Sequence, residues 1–167
     1  MEMHFATVWE AVADEMPERI ALVHGENRRS WREFDDRSAR LARALHELGV
    51  GSDSKVAQYL YNCNEYLEGM LGAMKARAVP FNVNYRYVDE ELEYLFDNAD
   101  AKAVIYHASF APRLARIREK LPKLQLWLQV DDGSGDGTGR VAGEAGDLRA
   151  ELAALVQRQE SVELEHR

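Results

Sequence analysis

At 167 residues and 19.0 kDa the chain has room for one domain, which at that size buries about 70% of its unfolded surface. Hydrophobic residues at 46% and charged residues at 30% exclude a wholly disordered or collagen-like chain, and a formal charge of -8 argues against a general nucleic-acid binder, which needs a basic face to displace counterions. A single cysteine, Cys63, excludes an internal disulfide and a four-cysteine zinc site.

Phe5, Val8, Trp9 and Val12 recur at helical spacing and predict a first helix that ends at Met16-Pro17. Ile20 to Val23 form a short apolar run closed by Gly25, which predicts a strand. Ser30 followed by Glu33 makes a capping box, and Trp31, Phe34, Ser38, Leu41, Leu45 and Leu48 continue one helical face until Gly49 ends it. Lys55 then opens a strand, Val56 to Tyr61, apolar at both parities and so expected to be buried on two faces. Asn64 is the expected cap of the next helix, with Tyr66, Leu67, Met70, Leu71 and Met74 turned inward.

Pro80 interrupts the apolar run Val79 to Val83 and restricts that strand to an edge or to its own start. Asp89 is the expected cap of an acidic helix carrying Leu92, Leu95 and Phe96. A strand from Ala103 to Tyr106, a helix from Ser109 to Leu121 and a strand from Leu124 to Val130 follow. Strands alternating with helices of this length predict an α/β fold: a largely parallel sheet, helices on both faces, joined by right-handed crossovers. The chain divides into residues 1–130 as the α/β unit, residues 131–146 as a flexible Gly/Asp-rich loop, and residues 147–167 as an amphipathic helix with a charged tail.

Few residues carry a chemical signal. The five histidines show no metal-ligand spacing, and each reads as a surface or edge residue. No base is in view to activate Cys63, which reads as a small hydrophobe. The glycines from Gly133 to Gly139 lack the Lys-Ser/Thr ending of a phosphate loop, and Asp131, Asp132 and Asp136 would repel an anion. Lys75 to Tyr87 is more informative. It sends Asn82, Asn84 and Arg86 to the carboxyl end of a strand, where open α/β sheets bind ligands. Arg86 suits a phosphate, or else pairs with the acidic helix that follows.

Ser30-Trp31-Arg32-Glu33-Phe34, Val56 to Tyr61 with Asn62-Cys63-Asn64-Glu65-Tyr66-Leu67, Lys75 to Tyr87, and Glu91-Leu92 stand in an order that resembles the N-terminal portion of AMP-forming acyl-CoA synthetases. The resemblance spans about residues 3 to 133, and Lys75 to Tyr87 is similar to actinobacterial ligases for fatty acids or steroid side chains. It implies a protein that in complete form activates a carboxylate with ATP and Mg, then passes the acyl group from the adenylate to CoA. The family's Asn-Pro-Arg element falls on Asn84-Tyr85-Arg86, so the resemblance makes Arg86 a contact for CoA phosphate. Tyr85 stands where proline is usual, and Arg77 where glycine is common.

The family's phosphate loop ending in Pro-Lys-Gly and its catalytic lysine are expected beyond these residues. The resemblance therefore implies a fragment or truncated ligase, inactive alone and without a cofactor of its own, whose partner is the remainder of the enzyme. The competing expectation is a non-catalytic interaction module that keeps the α/β scaffold and binds through the helix at 147–160. A cytoplasmic protein is expected, since no apolar run spans a bilayer and Met1 to Phe5 lacks a basic signal-peptide start. A homo-oligomer is open to either form.

Overall fold

The structure, a computed structural model, describes residues 4–130; the expected loop at 131–146 and the helix and tail at 147–167 lie outside the described residues. Helix α1 (Phe5–Glu15) leads into strands β1 (Ile20–His24) and β2 (Asn27–Ser30), which pair antiparallel as a hairpin. His24 faces Asn27 across a turn of Gly25 and Glu26, and Gly25 takes a φ of +56°, which glycine adopts at no steric cost. The sequence signalled β1 but not β2, because Asn27-Arg28-Arg29-Ser30 has no apolar alternation to read.

Helix α2 (Trp31–Glu47) starts as expected. Ser30 Oγ accepts from Glu33 N–H at 3.2 Å while Glu33 Oε2 accepts from Ser30 N–H at 2.8 Å, a reciprocal cap that also holds the Glu33 carboxyl below its ordinary range. At the other end Gly49, with φ +79°, donates to His46 C=O, and Val50 donates to Leu45 C=O. That pair of bonds is a Schellman stop.

The main sheet follows. Strand β3 (Lys55–Tyr59), helix α3 (Asn64–Lys75), strand β4 (Val79–Asn82), helix α4 (Asp89–Asn98), strand β5 (Ala101–His107), helix α5 (Ala111–Ile117) and strand β6 (Leu126–Val130) give four parallel strands in the order β4-β3-β5-β6. Strand β4 is an edge, one of the two placements Pro80 allows, with Pro80 opposite Val56. Short 3-10 turns, Ala108–Phe110 and Arg118–Lys120, flank α5 and complete the expected helical stretch.

Side-chain alternation sorts the two faces. Ala57, Tyr59, Val104, Tyr106 and Trp127 form one core with Leu92 and Phe96 of α4 and Leu114 and Ile117 of α5. The opposite face receives α3: a Cβ on Gly69 would stand 2.5 Å from Gln58 Oε1 and 3.4 Å from Ile105 Cδ1. Helix α2 packs outside α3, where a Cβ on Gly72 would meet Leu41 Cδ2 at 2.8 Å. A separate cluster under α1 joins Ala6, Leu22, Phe34 and Leu71, with Trp9 and Trp31 packed against it. Phe5 and Val8, expected to face inward, are 72% and 45% exposed, and Ala6 and Ala13 are the buried residues of that helix.

Two expected caps are displaced by one residue. Cys63 and Val88 hold the N-cap positions of α3 and α4. Asn64 is buried in the first turn of α3, where its side-chain amide donates to Asn27 C=O at 3.4 Å and ties the helix to the hairpin. Asp89 is engaged by α5 instead, as described next.

Candidate functional site

The connection from β3 runs to α3 on one face of the sheet, while those from β4 and β5 run to α4 and α5 on the other. The carboxyl ends of β3 and β5 therefore flank the point where an open parallel sheet forms its crevice. Here that point is filled by aromatic rings. Tyr61, just past β3, lies 5.1 Å from the His107 ring at the end of β5 and 4.8 Å from Phe110. Tyr59 stacks on Phe110 at 4.3 Å, and Tyr61 reaches across to Tyr85 at 5.3 Å.

Tyr85 and Arg86 occupy the centre of a turn after β4. Asn84 Oδ1 accepts from Arg86 N–H at 3.0 Å and Asn84 C=O accepts from Tyr87 N–H at 3.0 Å, so the asparagine folds the turn from its first position. Two further contacts pin the far side: Arg113 Nη1 donates to Tyr87 C=O at 2.6 Å and to Tyr59 Oη at 3.0 Å, and Glu91 Oε2 accepts from Val88 N–H at 2.9 Å. Burial raises the Tyr59 phenol above its ordinary range, and the Arg113 bond and charge oppose the shift. Asn82 is elsewhere engaged, its Oδ1 accepting from Tyr66 Oη at 3.2 Å.

Arg86 is exposed, with its guanidinium carbon 5.5 Å from the centre of the Tyr85 ring. The alternative expectation, an ion pair with the acidic helix, is not what the structure shows: Asp89 accepts from Arg116 Nε at 2.6 Å and Nη2 at 2.9 Å, with Arg113 Nε at 3.8 Å. The Arg116 bonds lower the Asp89 carboxyl, and Glu93 pairs with Lys120 at 2.8 Å while Asp97 and Asp100 share Lys123 at 3.1 and 2.7 Å. Among the described residues Arg86 makes no ion pair within 4 Å. Arg37 of α2 pairs with buried Glu68 of α3 at 2.7 Å, and Arg32 pairs with Glu18 at 2.8 Å.

His107 departs from expectation. It is buried, and its Nδ1 accepts from Ser109 N–H at 3.1 Å with Ser109 Oγ at 2.7 Å. Nothing in its sequence neighbourhood distinguished it from the other four histidines. Arg113 was equally invisible, because its two acceptors lie far away along the chain. Cys63 is buried and desolvation pushes its thiol up to about 11, which removes the thiolate a nucleophile needs. Among the described residues no group of three His, Cys, Asp or Glu side chains is placed to hold a metal ion.

The four-stranded parallel sheet carries an exposed arginine, Arg86, in the turn beyond β4, and comparison with known proteins gives the family. The family model for AMP-binding enzymes matches residues 9–164, and the chain belongs to that family. It is 42% identical to the medium-chain acyl-CoA ligase Mig of Mycobacterium avium, over 77% of this chain and 26% of that protein. It is 37% identical to the medium/long-chain-fatty-acid–CoA/3-oxocholest-4-en-26-oate–CoA ligase of Mycobacterium tuberculosis, over 84% of this chain and 26% of the ligase. The chain spans about a quarter of the length of these curated relatives and matches their N-terminal part. The N-terminal domain of FACL13 from Mycobacterium tuberculosis superposes with a TM-score of 0.74 at 24% identity, over 78% of this chain and 34% of that one. That similarity fixes the fold. No helix of the described residues is long and apolar enough to cross a membrane.

Proposed function

We propose that residues 1–130 form the opening α/β unit of an AMP-forming acid–CoA ligase for fatty acids or steroid side-chain acids, and that Arg86 contacts a phosphate of CoA. The observation that supports this reading most is the 42% identity to the Mycobacterium avium ligase, joined to an exposed Arg86 that no carboxylate of the described residues neutralises. A planar guanidinium offers a phosphate two parallel donors, and at the sheet's carboxyl edge it stands where such ligands enter.

ATP and Mg supply the leaving pyrophosphate and its charge compensation in ligases of this family, and CoA supplies the acyl acceptor. Among the described residues Arg86 fits the CoA part, as an exposed cation with no ion pair within 4 Å. The role of this unit in such a ligase is to carry the sheet and to present Arg86.

A chimera tests the proposal. Residues 1–130 replace the matching part of the Mycobacterium avium ligase, and the two half-reactions are assayed separately. Retained acid-dependent ATP–pyrophosphate exchange supports the scaffold reading. Arg86→Ala in the chimera is expected to raise the KM for CoA and to leave the exchange unchanged, because adenylation does not involve CoA. An unaltered KM for CoA would remove Arg86 from the site, and a folded chimera without exchange would sink the ligase reading.

A further inference from the structure

We propose that Tyr85 is a positioning residue for the Arg86 guanidinium, and that Tyr61 holds Tyr85 in place. The inference rests on Arg86 as a phosphate contact and goes beyond it by naming the side chains that orient the arm. An exposed arginine with no partner would sample many rotamers and lose that freedom on binding. Here three contacts restrict it. Asn84 Oδ1 fixes the Arg86 backbone N–H at 3.0 Å, the Tyr85 ring lies beneath the guanidinium at 5.5 Å, and Tyr61 braces Tyr85 at 5.3 Å with an interplanar angle of 53°.

Tyr61 is itself seated against buried His107 and Phe110, so the arm is built outward from the sheet core. Two carboxylates at the start of α4 are engaged elsewhere, Asp89 by Arg116 and Glu91 by Val88 N–H, and no carboxylate of the described residues stands within 4 Å of the Arg86 guanidinium. A cation within about 6 Å of a ring face is held by the ring quadrupole while its edge donors stay free for an anion. Tyr61 and Tyr85 are adjacent and each 41% exposed, and such partly open rings beside a guanidinium suit a phosphate carried on a planar base.

The test uses the 167-residue chain with coenzyme A as the probe, titrated by NMR at the backbone amide resonances of residues 82–88, which every variant keeps apart from the exchanged side chain, and by denaturation for stability. The wild type is expected to bind saturably and Arg86→Ala to lose the response. Tyr85→Ala is expected to bind about two- to five-fold more weakly, the size of an exposed cation–π contact, with an unmoved denaturation midpoint, while Tyr85→Phe binds as the wild type does. Wild-type affinity in Tyr85→Ala beside a lost response in Arg86→Ala overturns the positioning role and leaves the phosphate contact standing. A Tyr85→Phe variant as weak as Tyr85→Ala overturns it too, since the ring would then be irrelevant. Unchanged binding in Arg86→Ala, or none by the wild type, overturns the phosphate contact itself.

Discussion

Arg77 shows how a single residue can be legible as a departure before its cost is visible. It follows the last turn of α3 with φ +63°, its N–H bonded to Met74 C=O and the next N–H, on Ala78, bonded to Ala73 C=O. Those bonds form the same stop that Gly49 makes after α2, but here with a side chain in the left-handed region. A Cβ there costs roughly 1–2 kcal/mol, part of which glycine returns as unfolded-state entropy. Arg77→Gly is therefore expected to stabilise the chain by about 0.5–1 kcal/mol, measured as a higher urea midpoint. Asp89 yields a second expectation, through its titration. Arg116 depresses its carboxyl in the folded state, so the stabilisation is present above the ordinary value of 3.8 and is lost as pH falls through the lower folded value; Asp100 behaves alike through Lys123. Urea midpoints followed downward from pH 5 should fall less steeply in Asp89→Asn than in the wild type, and identical acid limbs would show that the Arg116 pair contributes nothing.

Among the elements, α3 is the one whose surface most controls the packing, because it lies between the sheet and α2. The hydrophobic stripe read from its sequence is Tyr66, Leu67, Met70, Leu71 and Met74; of these Leu71 is fully buried, and the other buried residues of the helix are Asn64, Glu68, Gly69, Gly72 and Ala73. Small residues let two neighbours approach at once, and a pattern of large apolar side chains does not register them. Gly72 meets the stem of Leu41, at 3.1 Å from its Cβ as well as 2.8 Å from Cδ2, whereas Gly69 meets chiefly the amide end of Gln58. Gly72→Ala should thus lose about 1–3 kcal/mol by overpacking, which outweighs the gain of about 1 kcal/mol from better helix propensity. Gly69→Ala should lose less, and Leu41→Ala in the Gly72→Ala background should recover part of the loss. Helix α2 was legible for the opposite reason: its capping box, its Leu45 face and its Gly49 stop all agree in the sequence and all stand in the structure. Strand β2 and the true caps of α3 and α4 were not legible, since they depend on partners outside their own segments.

At the scale of the whole molecule, the alternation of strands and helices was enough to give a parallel sheet covered on both faces, while Pro80 left open whether β4 is an edge or only begins there, and the pairing with β3 alone makes it an edge. The site was legible only as a position. Arg86 could be placed at a carboxyl edge from the order of residues, but whether Asp89 would claim it depended on α5, where Arg116 is brought beside Asp89 by packing. Activation of a carboxylate by ATP requires donors that converge on the reacting phosphorus, and such preorganised charges supply much of an enzyme's rate enhancement. Arg86 is one cation at the rim, tied to a turn whose other groups are spent on its own backbone. No segment of the sequence is a Ser/Thr/Gly-rich run ending in Pro-Lys-Gly, and the glycines from Gly133 to Gly139 are accompanied by Asp136 and followed by Arg140 and Val141. A polypeptide of these residues, purified free of host ligases, is accordingly expected to show no acid-dependent ATP–pyrophosphate exchange with fatty or steroid acids. Exchange well above a blank, and abolished by Arg86→Ala, would mean that the turn after β4 acts on ATP, and would move Arg86 from the thioester step to the adenylation step.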